Sequence, residues 1–139
     1  MVKLTYALRR RADLSREEFQ RYWRETHAPL VAERAGALRI RRYVQVRTIE
    51  TPLDDELHRH RGAGSEPYDG VAELWWDSVE DLAGAFGSAE GGAAAQELLE
   101  DEGNFIDLEA SPVWLAHEHT VFGGPVAVEA ASGADVAPR

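Results

Sequence analysis

His27 stands where an imidazole could carry protons. It belongs to residues 14–31, where Phe19, Tyr22, Trp23, Thr26, His27, Leu30 and Val31 recur at helical spacing and define one face. Arg16, Glu17, Gln20, Arg21, Arg24 and Glu25 define the opposite, solvated face. A histidine on the buried side needs a polar partner or a ligand, because an unpaired polar group there costs free energy. Tyr43, Gln45, Asp69, Glu73 and Trp75 read as one mixed face of two later strands and supply the candidates. With that face beneath the helix, Asp69 or Glu73 orients His27 as a general acid/base, an effect worth roughly 10²–10⁴ in rate. Tyr43 then donates a hydrogen bond to an oxygen gaining negative charge. Trp23, Gln45, Trp75, Tyr6 and Tyr22 are the expected substrate-binding residues of an aromatic pocket with a few convergent polar groups. The alternative is a core histidine satisfied by the protein itself, with carboxylates that merely accept backbone or arginine hydrogen bonds.

Other chemistries find less support. His58/His60 and His117/His119 each put two imidazoles at i, i+2, but nothing in the sequence brings a third and fourth metal ligand to either pair. The chain has no cysteine, which removes disulfides, thiolate metal sites and a cysteine nucleophile. Gly62-Ala63-Gly64 lacks the strand-and-helix context of a phosphate loop, and no serine elbow is present. Neither a metal nor an organic cofactor is expected.

The elements that must position these residues follow from local signals. Ser15 with Glu18 is a capping box, and Leu14 with Phe19 a hydrophobic staple, so a helix starts there. Pro29 cannot donate to the Glu25 carbonyl, which predicts a kink near residues 25–29 that tilts His27 off the regular helix surface. Gly36 is the expected carboxyl cap. Alternation predicts strands over residues 2–9, 38–49, 68–77 and 113–122. Ser78 and Asp81 start a second helix that Gly87-Ser88 and Gly91-Gly92 interrupt before residues 93–102 resume it. Residues 51–67 read as a long surface loop, with at most one helical turn over residues 53–58. The order β-α-β-β-α-β is the ferredoxin-like α+β arrangement. Two helices cover one sheet face only, so the other, expected to carry Val44, Val46, Ala72 and Leu74, is expected to pair with a second copy in a homodimer. Residues 1–122 form the domain and residues 123–139, rich in Gly, Ala, Pro and Ser, a flexible tail.

Composition bounds the partners. A net charge of −10 argues against nucleic acid, and no apolar run reaches membrane-spanning length, so a cytoplasmic location is expected. Residues 1–50 carry 12 basic and 6 acidic side chains against 3 and 19 in residues 51–139, a split expected to reflect solvated faces. Fourteen arginines against one lysine suggest a GC-rich bacterial genome.

Three stretches carry a family resemblance. They are Phe19-x-x-Tyr22-Trp23-x-x-x-His27-Ala28-Pro29-Leu30, then Tyr43-Val44-Gln45, and Tyr68-Asp69-Gly70-Val71-Ala72-Glu73-Leu74-Trp75. With Asp101-Glu102-x-x-Phe105-x-Asp107 before the last strand, the chain resembles the EthD family of dimeric α/β-barrel proteins. The resemblance implies a ferredoxin-like subunit and a barrel dimer. It also implies similarity to fungal pigment dehydratases and polyketide cyclases, which act on aromatic or polyketide substrates without metal or organic cofactor. The expectation is a cofactor-independent lyase, cyclase or isomerase for a small aromatic or polyketide-like carbonyl compound. The alternatives are a non-catalytic ligand-binding accessory dimer of an oxygenase or catabolic pathway, and a cofactor-free monooxygenase. Asp101, Glu102 and Asp107 are expected to fix the turn before the final strand.

Overall fold

A computed structural model describes residues 1–124 of the chain, so residues 125–139 of the expected tail lie outside the described residues. Strand β1 (Val2–Leu8) leads into helix α1 (Arg16–Tyr22), then a π turn (Trp23–His27) and helix α2 (Ala28–Leu38). Strand β2 (Arg42–Arg47), helix α3 (Leu53–Arg61) and strand β3 (Gly70–Trp76) follow. Helices α4 (Val79–Gly87) and α5 (Ala89–Glu102) precede the last strand, β4 (Val113–Ala116). The four strands form one sheet in the order β2-β3-β1-β4, with every neighbouring pair antiparallel. This is the ferredoxin-like α+β fold.

The expected bend takes the form of a π turn. The capping box forms as expected, with the Ser15 hydroxyl accepting from the Glu18 N–H and the Glu18 carboxylate accepting from the Ser15 N–H. Because Pro29 has no N–H for the Glu25 carbonyl, the helix widens, and the Ala28 N–H bonds the Trp23 carbonyl, five residues back. Gln45 Nε2 donates to the same carbonyl at 3.0 Å, tying the turn to the sheet. The widened turn keeps both Trp23 and His27 buried.

The expected strand faces need correction. Tyr43 pairs with Leu74 and Gln45 with Ala72, so these four share the face beneath the helices together with Tyr6 and Leu8. Val44 pairs with Glu73, placing Glu73 and Trp75 on the opposite, open face with Val46 and Val71. The boundary of β2 differs as well. Residues 38–49 are not one strand: α2 runs through Gly36 to Leu38, and Arg39, not Gly36, makes the left-handed cap with φ 59°. The turn at residues 39–41 separates Leu38 from β2. Within β2, Tyr43 and Gln45 face the helices and Val44 and Val46 lie on the open face, as expected; the phase that reverses is that of β3. The buried Trp76 indole N–H donates to the Leu38 carbonyl at 2.6 Å and satisfies the end of that helix.

Three more boundaries differ. Residues 53–61 form a helix of nine residues, longer than the single turn expected, and none of its side chains is buried. The second helical region breaks only at Ser88, which caps α5 by accepting from the Gly91 N–H. Gly91 lies inside the helix, where a Cβ would meet the Ala85 carbonyl oxygen at 1.8 Å, so glycine there lets α5 close against the end of α4. Strand β4 stops at Ala116, not residue 122. The core lies between the helices and one sheet face: Leu8, Phe19, Trp23, Ala72, Phe105 and Ile106 at one end, and Val31, Leu38, Ala94 and Leu98 between α2 and α5. No helix among the described residues is long and apolar enough to cross a membrane.

Candidate active site

The π turn and the end of α5 meet at a histidine–carboxylate pair. His27 Nδ1 lies 2.7 Å from Asp101 Oδ2. The other Asp101 oxygen accepts from the Tyr22 hydroxyl at 2.6 Å and from Asn104 Nδ2 at 3.2 Å. Burial pushes the Asp101 carboxyl up, but the hydrogen bonds from Tyr22, His27 and Asn104 outweigh it and hold its pKa below the ordinary range. An ionised Asp101 can only accept, so the neutral His27 carries its proton on Nδ1. Burial also holds the His27 pKa below its ordinary value, against the pull of Asp101. The imidazole is therefore a neutral base at pH 7, oriented by a fixed carboxylate, with Nε2 left for a ligand. Phe105 flanks both rings, its centroid 5.0 Å from those of His27 and Tyr22.

His27 borders a cavity of about 50 Å³, together with Tyr6, Trp23, Tyr43, Glu102 and an apolar wall that includes Val31, Leu74 and Leu98. Tyr43 is pushed up to about 12 by burial, so its phenol stays protonated. Its oxygen accepts from Gln45 Nε2 at 2.8 Å, which leaves the phenol's own proton free to donate. Glu102 Oε1 accepts from the Tyr6 hydroxyl at 3.0 Å. Burial, with a smaller push from the charge on Asp101, raises the Glu102 carboxyl to about 7 despite the Tyr6 hydrogen bond. Burial and the adjacent Glu102 also raise Tyr6.

The structure thus brings together His27, Tyr43, Trp23, Gln45, Tyr6 and Tyr22, and separates Asp69, Glu73 and Trp75 from them. Asp69 is buried at the junction of β1 and α1, where its carboxylate accepts from the Arg10 N–H at 2.8 Å, Arg10 Nη1 at 2.6 Å and Arg16 Nε at 2.8 Å. Its burial pushes the carboxyl up, and these bonds overcome that and lower it. Asp69 therefore clamps two arginines and does not orient His27. Glu73 pairs with Lys3 at 3.2 Å on the open face. The Trp75 indole donates to Glu118 at 2.9 Å there, beneath the Arg42 guanidinium 4.6 Å from its ring.

Asp101 and Glu102, expected from the sequence to be turn formers, take the places expected of Asp69 and Glu73. A signal for Glu102 exists. Ala94 and Leu98 mark the buried stripe of α5, and Glu102 is the next i+4 position on it. Of the histidine pairs, His58 and His60 lie on an exposed helix and His117 Nδ1 sits 3.2 Å from the Met1 carbonyl. Among the described residues, no three or more His, Asp or Glu side chains converge to hold a metal ion.

A four-stranded antiparallel sheet with helices on one face, and a histidine–carboxylate pair beneath them, defines a ferredoxin-like α+β protein with a buried polar pocket. The family model of the EthD domain matches residues 11–109, well over half the chain, and the chain belongs to that family. It is similar in fold to an EthD family protein from Bacillus halodurans, at 22% identity over 86% of this chain and 99% of the other, with a TM-score of 0.57. An EthD-like protein from Ralstonia eutropha aligns at 17% identity over 83% and 88% of the two chains, with a TM-score of 0.54. An Arabidopsis thaliana protein does so at 14% over 88% and 99%, also with a TM-score of 0.54. None of the curated proteins matches this sequence.

Proposed function

We propose that this EthD protein is a cofactor-independent acid/base enzyme, a lyase, cyclase or isomerase that moves protons on a small aromatic or polyketide-like carbonyl compound. The observation that carries the proposal is the 2.7 Å pair of His27 with Asp101 at the wall of an aromatic-lined cavity. In this scheme Nε2 of His27 takes a proton from the carbon next to the carbonyl, and Asp101 stabilises the imidazolium that results. The free proton of Tyr43 hydrogen-bonds the oxygen on which negative charge gathers. Trp23 and Tyr43 supply flat surface for an aromatic ring.

A cavity of about 50 Å³ is well below the roughly 300–1,000 Å³ of small-molecule sites, so substrate entry requires the Val31 and Leu98 wall to move apart. The test uses a probe that needs no knowledge of the natural substrate: exchange of solvent deuterium into the acetyl methyl group of 2,4-dihydroxyacetophenone, followed by NMR. The protein is expected to accelerate exchange over buffer, and His27→Gln to lose about 10²–10⁴ of that rate while remaining folded. An unchanged rate in His27→Gln refutes the role of His27. The small cavity also favours a second reading, a non-catalytic accessory protein, which predicts saturable binding of the same ketone without any exchange.

The open sheet face supports a homodimer joined sheet to sheet, because Val44, Val46 and Val71 lie there uncovered by helices and Val46 is exposed. Sedimentation equilibrium is expected to give twice the chain mass, with Val46→Glu shifting it toward the single chain. A monomeric wild type removes the dimer from the proposal.

A further inference from the structure

We propose that Glu102 is the acid partner of His27, delivering the proton that the substrate oxygen takes up; this rests on the acid/base function proposed above. Helix geometry aims two neighbouring carboxylates at different targets. Successive residues of a helix point about 100° apart, so α5 presents Asp101 to the π turn and Glu102 to the sheet, where Tyr6 holds it at 3.0 Å. Both His27 and Glu102 border the same cavity. Tyr6 occupies Oε1 as a donor, and Oε2 remains to carry a proton. The titratable groups facing Glu102 are Tyr6 on β1, Tyr43 on β2, His27 on the π turn and its neighbour Asp101, and among the described residues no lysine or arginine lines the cavity. None of the residues lining the cavity is therefore a cation that would hold the carboxylate ionised.

The two environments drive the pair apart in the useful direction. Burial lowers His27 and raises Glu102 to about 7, so near neutral pH the imidazole is free to accept while much of the carboxyl is still protonated. In the forward step a substrate C–H bond breaks and an Nε2–H bond forms, while the Glu102 O–H bond breaks and an enol O–H bond forms. His27 becomes an imidazolium and Glu102 a carboxylate, and charge balances. The imidazolium exchanges its proton with solvent, and the reverse transfers return Glu102 to its acid form. A pair of this kind works between the two pKa values and fails on either side.

The experiment couples the methyl exchange of 2,4-dihydroxyacetophenone to a ¹³C titration of the glutamate side-chain carboxyls. Wild type is expected to show one carboxyl titrating near pH 7, absent from Glu102→Gln, and an exchange rate that declines above the same pH. Glu102→Gln is expected to exchange about 10²-fold more slowly and to lose that alkaline decline. Tyr6→Phe removes a hydrogen bond that holds the Glu102 pKa down, so titration and decline both move to higher pH. A purely structural carboxyl would shift its titration in Tyr6→Phe but leave the pH dependence of exchange where it was. If Glu102→Gln exchanges at the wild-type rate while His27→Gln does not, Glu102 is no proton carrier and the function of His27 stands. Glu102 is equally ruled out if every glutamate titrates in the ordinary range. If wild type fails to exchange, or His27→Gln matches it, the proposed function falls and takes this inference with it.

Discussion

Gly70→Ala is expected to cost about 2–3 kcal/mol of stability and to disable the cavity, although it adds one methyl group at the start of a strand. A Cβ at Gly70 would lie 2.5 and 2.8 Å from two carbons of the Trp23 indole and 3.0 Å from the Val46 carbonyl oxygen. Neither obstacle yields readily. Val46 belongs to the paired strand β2, and the indole is a rigid ring that is 2% exposed and packed 5.6 Å from Phe19. The free space bordering that ring is the cavity of about 50 Å³, so the ring takes it up when displaced from β3. Urea unfolding at pH 7 measures the first effect and loss of ketone binding the second. Gly36→Ala is the control: nothing lies within 4 Å of its Cβ, and replacing a helical glycine there stabilises by about 0.5–1 kcal/mol. Equal stability of Gly70→Ala and wild type would show that Trp23 is not held as described.

The fold is readable because its determinants are local. The Ser15 capping box, the proline four residues after Glu25 and the alternation of β1 and β3 each act within a few residues, and each forms as expected. The site is half readable for the same reason. His27, Trp23 and Tyr22 share one helical face, so periodicity alone brings them together. The partner of His27 is a different matter, since Asp101 lies 74 residues away and meets it only through the packing of α5 against the π turn. Asp69 looks equally suitable in the sequence, and only Arg10 and Arg16, converging from other elements, show that its charge is already matched. The inverted face of β3 shows a second limit: alternation specifies which residues share a face but not which face is buried. Only the pairing with Tyr43 and Gln45 shows that Ala72 and Leu74, not Glu73 and Trp75, lie beneath the helices.

Wild type is expected to lose stability between pH 5 and pH 8, and Glu102→Gln to abolish most of that loss. The folded state raises the Glu102 carboxyl from 4.5 to about 7, so the folded protein binds this proton more tightly than the unfolded chain does. Stability from this group is complete below pH 4.5 and disappears as the pH rises through 7. The difference of about 2.5 in pKa corresponds to something on the order of 3 kcal/mol. His27 has the opposite sign. Its folded pKa is lowered from 6.5, so its contribution is complete above pH 6.5 and fades as the pH falls below it. Asp101, lowered from 3.8, acts only in more acid solution. The alkaline slope therefore belongs to Glu102. Glutamine resembles the neutral acid and can still accept from Tyr6, so wild type and Glu102→Gln should unfold at similar urea concentrations at pH 5 and diverge at pH 8, the variant being the more stable. Parallel profiles would mean that the carboxyl is ionised without penalty and that its burial is not felt. If Glu102→Gln both stabilises the protein at neutral pH and slows proton exchange, Glu102 serves chemistry at the expense of folding.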